Sequence, residues 1–520
     1  MQSTRIVSSQ PCTLITGATG FLGHYVLAEL LRRRLPCVAI VRPPLVESVS
    51  RLEQLLSDLG VNLGQALRYG ALRLLEGDLA RSSALHLPHR CSRTIHCAAS
   101  TRFTAHESGE PTLTNVQGTA NLLNLAARAG IHEFHHISTA FVCGRTTTCA
   151  AETVAEREPD SHNEYERSKW ESERLCVDWS RRHGARLTIH RPSIIVGAFD
   201  SGRATKFDGF YLTARATELI ERRQARAVNS INGPRRQISL RVRARAQDPQ
   251  NIVPVDWVAR MITAVAIEPT LQGRTYHLVN PAPPTNRMIQ HALEEHFGIA
   301  GSTLVAPEAY PTSGLNAEER IFGHISRPIA HYMVDTPHFD RTNVRRAESH
   351  LGLACPTYDT KALQRLVRHA QQVNWGRSST GILPPDDAAY AHFFERFLPE
   401  NVRRSRIAQA AAVDASIRFV IGDDPQDDWL CRFDQGNLVK VARAQPQLHE
   451  DFGYRATHGA FWSAISGRVH PQELFLSGEA EIFGDAERAL KMAMILNAFF
   501  REFPFDEEAL LQHSQQRRSA

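Results

Sequence analysis

The clearest chemical signal in the sequence comes from two side chains four residues apart, Tyr165 and Lys169. They follow Asn163-Glu164, a stretch that reads as a helix entry, with Asn163 able to cap and Glu166 able to reach back to the cap. Residues four apart on a helix share one face. A free phenol titrates at about 10, and a neighbouring ammonium favours the phenolate and lowers that value towards working pH. Tyr165 can then act as a general acid towards a carbonyl oxygen. Thr139, at the end of the apolar run before Ala140, can bond the same oxygen and steady its developing charge. A lone Tyr-x-x-x-Lys is usually structural. This pair gains meaning from what precedes it.

Thr16-Gly17-Ala18-Thr19-Gly20-Phe21-Leu22-Gly23 lies between a strand-like run and a helical one. Gly17 permits a tight turn, Gly20 lets backbone approach a pyrophosphate, and Gly23 allows close helix–strand packing. The helix start over Phe21 and Leu22 offers unpaired amides to phosphate. The next run, Val38–Val41, ends in Arg42 rather than an acid. An acid there would bond a ribose 2′-hydroxyl, whereas arginine meets a 2′-phosphate. The spacing therefore predicts an NADPH site, whose nicotinamide would add to the effect of Lys169 on the phenol.

The elements that must hold these groups alternate. Thr13–Thr16, Cys37–Val41, Leu72–Glu76, Thr94–Cys97 and Phe134–Ile137 read as strands, and Tyr25–Arg33, Val49–Leu59 and Val116–Ala129 as helices. That order predicts an α/β fold with a parallel sheet covered on both faces. Residues 199–347 are irregular and rich in arginine and proline. After a helix-like Tyr358–Val373, a linker is expected over 377–405, opening with Ser378, Ser379, Gly381 and paired prolines. Beyond it, Ala415–Ile421, Trp429–Phe433 and Leu438–Val441 alternate in the manner of strands, with a turn at Asp434–Asn437. Ala486–Phe500 carries Ala489, Met492, Ala493, Leu496 and Phe499 on one helical stripe.

Composition sets outer limits. A chain of 520 residues favours two domains. With 42% hydrophobic and 22% charged residues it reads as globular, and a net charge of +5 gives no reason to expect nucleic acid. No apolar run is long enough to span a bilayer, and Met1–Pro11 lacks a signal-peptide core. Nine scattered cysteines, with no metal-ligand spacing, suggest reduced thiols and a cytoplasmic location.

Read in order, the motifs resemble the extended short-chain dehydrogenase/reductase superfamily over roughly residues 10–370, and within it the fatty acyl-CoA reductase and thioester reductase branch. They are Thr16–Gly23, Gly77–Leu79, His96–Phe103, Asn115–Thr119, Ile137–Gly144, Tyr165–Leu175, His190–Gly197, Val253–Arg260 and Tyr276–Pro281. The resemblance implies a Rossmann-type doubly wound sheet over 8–376, with a substrate lobe at about 199–347. It implies that Asp78 and Leu79 flank the adenine, that Ala98 and Ala99 line the cofactor cleft, and that Pro192 and Ser193 meet the nicotinamide. Thr139, Tyr165 and Lys169 match the family's catalytic triad, Lys169 also holding the ribose, and Asn115 the asparagine that supports the lysine. The substrate implied is a long-chain acyl thioester on CoA or acyl carrier protein, reduced to aldehyde or alcohol. Arg222, Arg223, Arg226, Arg235, Arg236, Arg241, Arg243 and Arg245 form a basic tract that fits CoA phosphates, a carrier's acidic face, or simply a solvated surface.

Residues 406–513 resemble a sterol-carrier-protein-2-like α+β domain, through Ala415–Gly422, His458–Gly467 and Leu476–Asp485. That implies an apolar lipid tunnel, for which Phe461, Trp462, Ile465, Met492, Met494, Leu496, Phe499 and Phe500 are candidates, and leaves peripheral membrane contact open. Two rival readings remain. A sterol or hydroxysteroid dehydrogenase would use the same triad on a ketone or secondary alcohol, and a non-catalytic lipid- or cofactor-binding protein would use neither.

Overall fold

In the computed structural model the apolar runs of the first unit become strands of one sheet. The structure describes residues 12–503 and 505, apart from 82–84, 88–90, 107, 146–148, 228–234, 335, 377–386, 423–427, 445–448, 467–468, 470, 472–473 and 476–479. The chain divides into two units, 1–376 and 377–520.

In the first unit the order begins β1 (Cys12–Thr16), α1 (Phe21–Arg32), β2 (Cys37–Val41), α2 (Leu45–Ser57), α3 (Leu63–Arg68) and β3 (Leu72–Glu76). It continues through β4 (Cys91–His96), α4 (Gly118–Arg128), β5 (Glu133–Ile137), α5 (Glu164–His183) and β6 (Arg186–Pro192). Then come β7 (Ile194–Val196), β8 (Arg236–Arg243), β9 (Ile252–Pro254), β10 (Thr275–Leu278) and β11 (Ile299–Val305). The main sheet has seven strands in the order β10-β6-β5-β4-β1-β2-β3, and every neighbouring pair in it is parallel. All of β2 is buried, as expected of a strand covered on both faces. On one face Tyr25, Val26, Leu27 and Leu30 of α1 pack with Val258, Met261, Ile262 and Val265 of the helix Val255–Ile267. On the other, Leu122, Leu123 and Ala126 of α4 pack with Cys176 and Trp179 of α5 against Leu14, Val38 and Phe134.

The stretch 199–347 is not one lobe. The parallel pair β8 and β11 and the helices Phe210–Ala227, Asn286–Phe297 and Ala317–Ser326 stand outside the main sheet. Between them the chain returns, and β10 pairs with β6 at the sheet edge. The apolar character of Val255–Leu278 explains the return, because that segment can bury itself only against the sheet.

In the second unit, β12 (Ala415–Ile421), β13 (Trp429–Asp434), β14 (Asn437–Arg443), β15 (Phe452–Ala456) and β16 (Ala480–Gly484) form a mixed sheet in the order β14-β13-β12-β15-β16. The β13–β14 turn has positive φ at both Gln435 and Gly436, the twist that a two-residue hairpin prefers. Within the stretch expected to be a linker, 387–402 is helical. Tyr390, Phe393, Phe394, Leu398 and Val402 are buried in this unit's core, and Phe394 stacks on Trp429 at 4.7 Å. These apolar residues recur at helical spacing, so burial outweighs the turn signals just before them. No helix among the described residues is long and apolar enough to cross a membrane.

Candidate active site

The expected site residues of the first unit gather at the carboxyl ends of its strands, where the order reverses between β1 and β4. Gly17 has φ +70, and a side chain there would press on the backbone of Ala98. A Cβ on Gly23 would lie 1.9 Å from the Gly17 carbonyl oxygen. Gly20 closes the turn by donating to that oxygen at 2.9 Å and then stands at the N-cap of α1, where no side chain caps the helix. The first amides of α1 are thus left for an anion. Phe21 and Leu22 turn their side chains onto the core, so their contribution to a ligand is backbone. The Thr19 carbonyl accepts from Arg51 Nε at 3.1 Å, a contact from α2 that the sequence did not disclose. Arg42 is exposed just past β2.

Along the same edge, Ala98 N donates to Thr16 Oγ1 at 3.2 Å, and Ala99 beside it is exposed. Asp78 Oδ1 accepts from Ala80 N at 3.0 Å, while Leu79 is buried and its carbonyl is held by Asn121. Pro192 ends β6, and Ser193 N donates to the Leu278 carbonyl. The side chains of Ser138 and Ser193 are buried hydroxyls with no protein partner among the described residues. Unpaired hydroxyls at the ends of β5 and β6, the uncapped amides of α1 and two glycines with no room for Cβ make a cradle that fits a dinucleotide.

Helix α5 carries Tyr165 and Lys169. Asn163 caps it by accepting from Glu166 N at 3.0 Å. Glu166 reaches back one residue further than the sequence suggests, accepting from His162 N at 2.8 Å rather than from the cap. The Tyr165 hydroxyl lies close enough to the Thr139 hydroxyl to feel it electrostatically. Burial pushes the phenol up to about 12, and the nearby Thr139 hydroxyl works against that rise. The expected lowering by Lys169 is not seen, because the ammonium, almost wholly buried, donates to the Ile137 carbonyl at 2.6 Å. Burial brings Lys169 itself down to about 8, opposed by Cys176 and Glu173 on its own helix and by Cys97 after β4.

Asn115 joins the two halves of the site. Its amide donates to Ser168 Oγ at 2.8 Å and to the Ser100 carbonyl at 2.9 Å, and its Oδ1 accepts from Ser100 N. One turn beyond Lys169, Glu173 forms a buried ion pair with Arg191 of β6 at 2.6 Å, fixing α5 to the sheet. An aromatic wall stands beside Tyr165: Phe103 lies 6.2 Å from it, and Tyr332 packs on both Phe103 and Phe141. Arg51, His96, Ser168 and Tyr332 escaped the sequence reading, since each acts through a partner far away in the chain.

The basic tract does not converge on one point. Arg222 pairs with Glu218, Arg236 with Glu221, Arg241 with Glu319, and Arg245 with Asp248 and Glu308. The side chain of Arg226 lies outside the described residues. In the second unit an apolar cavity of about 50 Å³ is lined by Phe461, Ile465, Leu496 and Phe500 of the expected tunnel residues, with Phe419, Tyr454 and Leu474. Trp462, Met492 and Phe499 are buried core outside that lining. Met494 is 60% exposed, because two residues along a helix from Met492 it points to the opposite side.

Comparison with known proteins places this geometry. An aldehyde reductase, lnaA of Aspergillus flavus, is 26% identical over 400 residues, covering 69% of this chain, which spans 36% of that relative's length. The terminal R domain of a myxalamid PKS-NRPS pathway has the same fold, with a TM-score of 0.56 at 21% identity, over 71% of this chain and 92% of that one. A thiolation-reductase di-domain from an archaeal non-ribosomal peptide synthetase gives a TM-score of 0.55 at 20% identity, over 71% and 76%. Residues 15–262 match the male sterility protein family and residues 394–497 the SCP-2 sterol transfer family, so the chain pairs one region similar to each.

Proposed function

We propose that this chain is an NADPH-dependent reductase of a long-chain acyl thioester, carried on CoA or an acyl carrier protein, and that its C-terminal unit holds the lipid. The observation that carries the reading is the constellation of Thr139, Tyr165, Lys169 and Asn115 on the same sheet edge as the glycine turn. Gly17, Thr19, Gly20 and the amides of Phe21, Leu22 and Gly23 would hold the pyrophosphate, Asp78, Leu79, Ala98 and Ala99 the adenosine side, and Pro192 and Ser193 the nicotinamide. Arg42 would meet a 2′-phosphate, which favours NADPH over NADH. Bound there, the dinucleotide supplies the reducing equivalents for the carbonyl carbon.

The protein's own part is proton delivery and positioning. Tyr165 donates its proton to the carbonyl oxygen as charge builds there, and Thr139 steadies that oxygen. A phenol held near 12 stays protonated at neutral pH and is ready to donate. Lys169 presents its charge to the ribose, and Asn115 keeps the start of α5 in place. Collapse of the hemithioacetal releases aldehyde and thiol, and a second reduction gives the alcohol. The aromatic wall suits an acyl chain, and the name of the thiolation-reductase neighbour favours a thioester over a free ketone. Nine free thiols suit a reducing cytoplasm.

The SCP-2 match favours one rival, a dehydrogenase of a sterol ketone. Purified protein is assayed for NADPH oxidation with palmitoyl-CoA and with a 3-ketosteroid. Oxidation with matching thiol release supports the proposal. Turnover of the ketone alone selects the rival, and tight NADPH binding without turnover of either selects a binding protein.

A further inference from the structure

At the entry to α5, three side chains converge that have no part in the chemistry above. His162 precedes the cap, Glu166 sits in the first turn, and His331 comes from the 3-10 turn Arg327–Met333 of the outer lobe. One ring nitrogen of each histidine and one carboxylate oxygen lie within 4.8 Å of one another. Two imidazoles and a carboxylate are a donor set that zinc and its neighbours accept, with a fourth position left for water. We propose that His162, Glu166 and His331 bind a divalent transition-metal ion, zinc foremost, which ties the outer-lobe turn to the catalytic helix.

The first argument is charge. Glu166 is fully buried, yet among the described residues its one ion-pair partner is His162 Nδ1, at 3.0 Å. A buried carboxylate needs a compensating cation. Histidine provides one only when protonated, whereas a metal ion provides it with both imidazoles neutral.

The second argument is that the outer hydrogen bonds of such a site are already built. Tyr332 donates to Glu166 Oε1 at 2.7 Å, which leaves Oε2 turned to His162. Asn163 donates to the Tyr332 hydroxyl at 3.1 Å and lies 3.4 Å from His331 Nε2. Bonds of this kind, made to the far side of a ligand, fix its orientation and raise metal affinity. The two imidazoles stack with centroids 4.7 Å apart and planes inclined by 18°, so one ring must turn about its Cβ–Cγ bond before both nitrogens face one ion. Metal–ligand bonds of about 2.0–2.1 Å set tetrahedral donors roughly 3.3 Å apart, so the group closes by side-chain rotation of about an ångström. The side chain of His162 is 20% exposed and His331 is half-buried, which gives an ion access from solvent.

The test uses the full chain, stripped by chelator and dialysed, then titrated with Zn²⁺ and separately with Co²⁺. Wild type is expected to take up one more ion per chain than His162→Ala or His331→Phe, the latter keeping a ring against Phe103 and His162. The Kd at this site should rise by about tenfold or more in each variant, and the visible bands of low-coordinate cobalt should disappear. Thiol-bound zinc is common to all three proteins and cancels. Circular dichroism and NADPH titration identify a variant that has misfolded, and the other then decides. Wild type and a folded variant binding equal numbers of ions with equal affinity, or wild type binding none, overturns the site. Because the readout is metal alone, that failure leaves the reductase reading untouched.

Discussion

Raising the pH should weaken NADPH binding while leaving the fold firmer, and Lys169 is the reason. Burial brings this ammonium from 10.5 to about 8, a cost of about 3 kcal/mol to the charged form. His96 of β4 and His136 of β5 also lie near Lys169, and both are kept neutral at physiological pH by burial. If the ribose is held only by the charged lysine, the apparent Kd follows one plus ten to the power of pH minus 8. That is about 1.1 at pH 7 and about 11 at pH 9, a tenfold loss. Stability moves the other way. The folded pKa lies below the unfolded one, so the burial penalty is fully present below pH 8 and is relieved as pH climbs towards 10.5. Lost affinity at pH 9 therefore cannot be blamed on unfolding by this group. Fluorescence titration of NADPH from pH 6.5 to 9.5, paired with thermal melts, measures both. Lys169→Arg, charged throughout, should flatten the affinity profile. A wild-type Kd that stays constant to pH 9 would refute the link between the buried charge and the cofactor.

Tyr165→Phe removes the donated proton but little contact, so turnover should fall at least a thousandfold, roughly the upper range for general acid catalysis, with NADPH Kd changed by less than about twofold; stopped-flow turnover and fluorescence titration check the two halves, and normal activity would remove Tyr165 from the mechanism. Gly23→Ala drives a Cβ to 1.9 Å from the Gly17 oxygen, so the turn must shift, at a stability cost of about 1–3 kcal/mol and a tenfold or greater loss in NADPH affinity. Wild-type affinity in a folded Gly23→Ala protein would show that the cradle is not the phosphate site. Leu496→Trp fills a cavity with room for only a few water-sized groups; displacement of a fluorescent fatty acid should fail in this variant while turnover of a short, soluble thioester persists, and unchanged lipid binding would put the lipid elsewhere.

The early strands were legible because they are short apolar runs bounded by turns, and β2 and β3 stand where the pattern puts them. By contrast, β4 starts at Cys91 rather than Thr94, and β6 and β10 of the same sheet went unread. Helix starts were legible where a motif or a cap marked them, at the glycine turn before Phe21 and at Asn163 before α5. Helix α2 begins at Leu45 rather than Val49, because its cap residue, Pro44, is not a Ser, Thr, Asp or Asn. The region 387–402 was hidden by the glycine and prolines before it, although Phe393, Phe394 and Phe397 already marked a buried helix. That Tyr165 and Lys169 lie together could be read because they share one turn of one helix. The bond from Lys169 to Ile137 and the reach of Arg51 to Thr19 span 32 residues each, and local spacing carries no trace of them.

What joins the glycine turn to the triad is a directed chain of neutral hydrogen bonds. Ala98 N–H donates to Thr16 Oγ1 at 3.2 Å. Thr119 gives its one hydroxyl proton to Asn115 and can only accept from His96, so neutral His96 takes the Thr16 hydroxyl proton at Nδ1, 2.7 Å away. His96 must then carry its proton on Nε2 and give it to Thr119 Oγ1 at 3.0 Å, and Thr119 donates to the Asn115 carbonyl at 2.6 Å. From Asn115 the chain passes through Ser168 Oγ, which donates to the Tyr165 carbonyl. An imidazolium at residue 96 would turn Thr16 away, but burial lowers that pKa to about 3, so one tautomer persists across the physiological range. Buried polar groups of this kind are costly unless all are satisfied, and a fully satisfied network holds one arrangement. A sheet buried on both faces would be more stable with aliphatics at these positions. Holding Asn115 and the first turn of α5 in register with the nucleotide turn is the return for that loss.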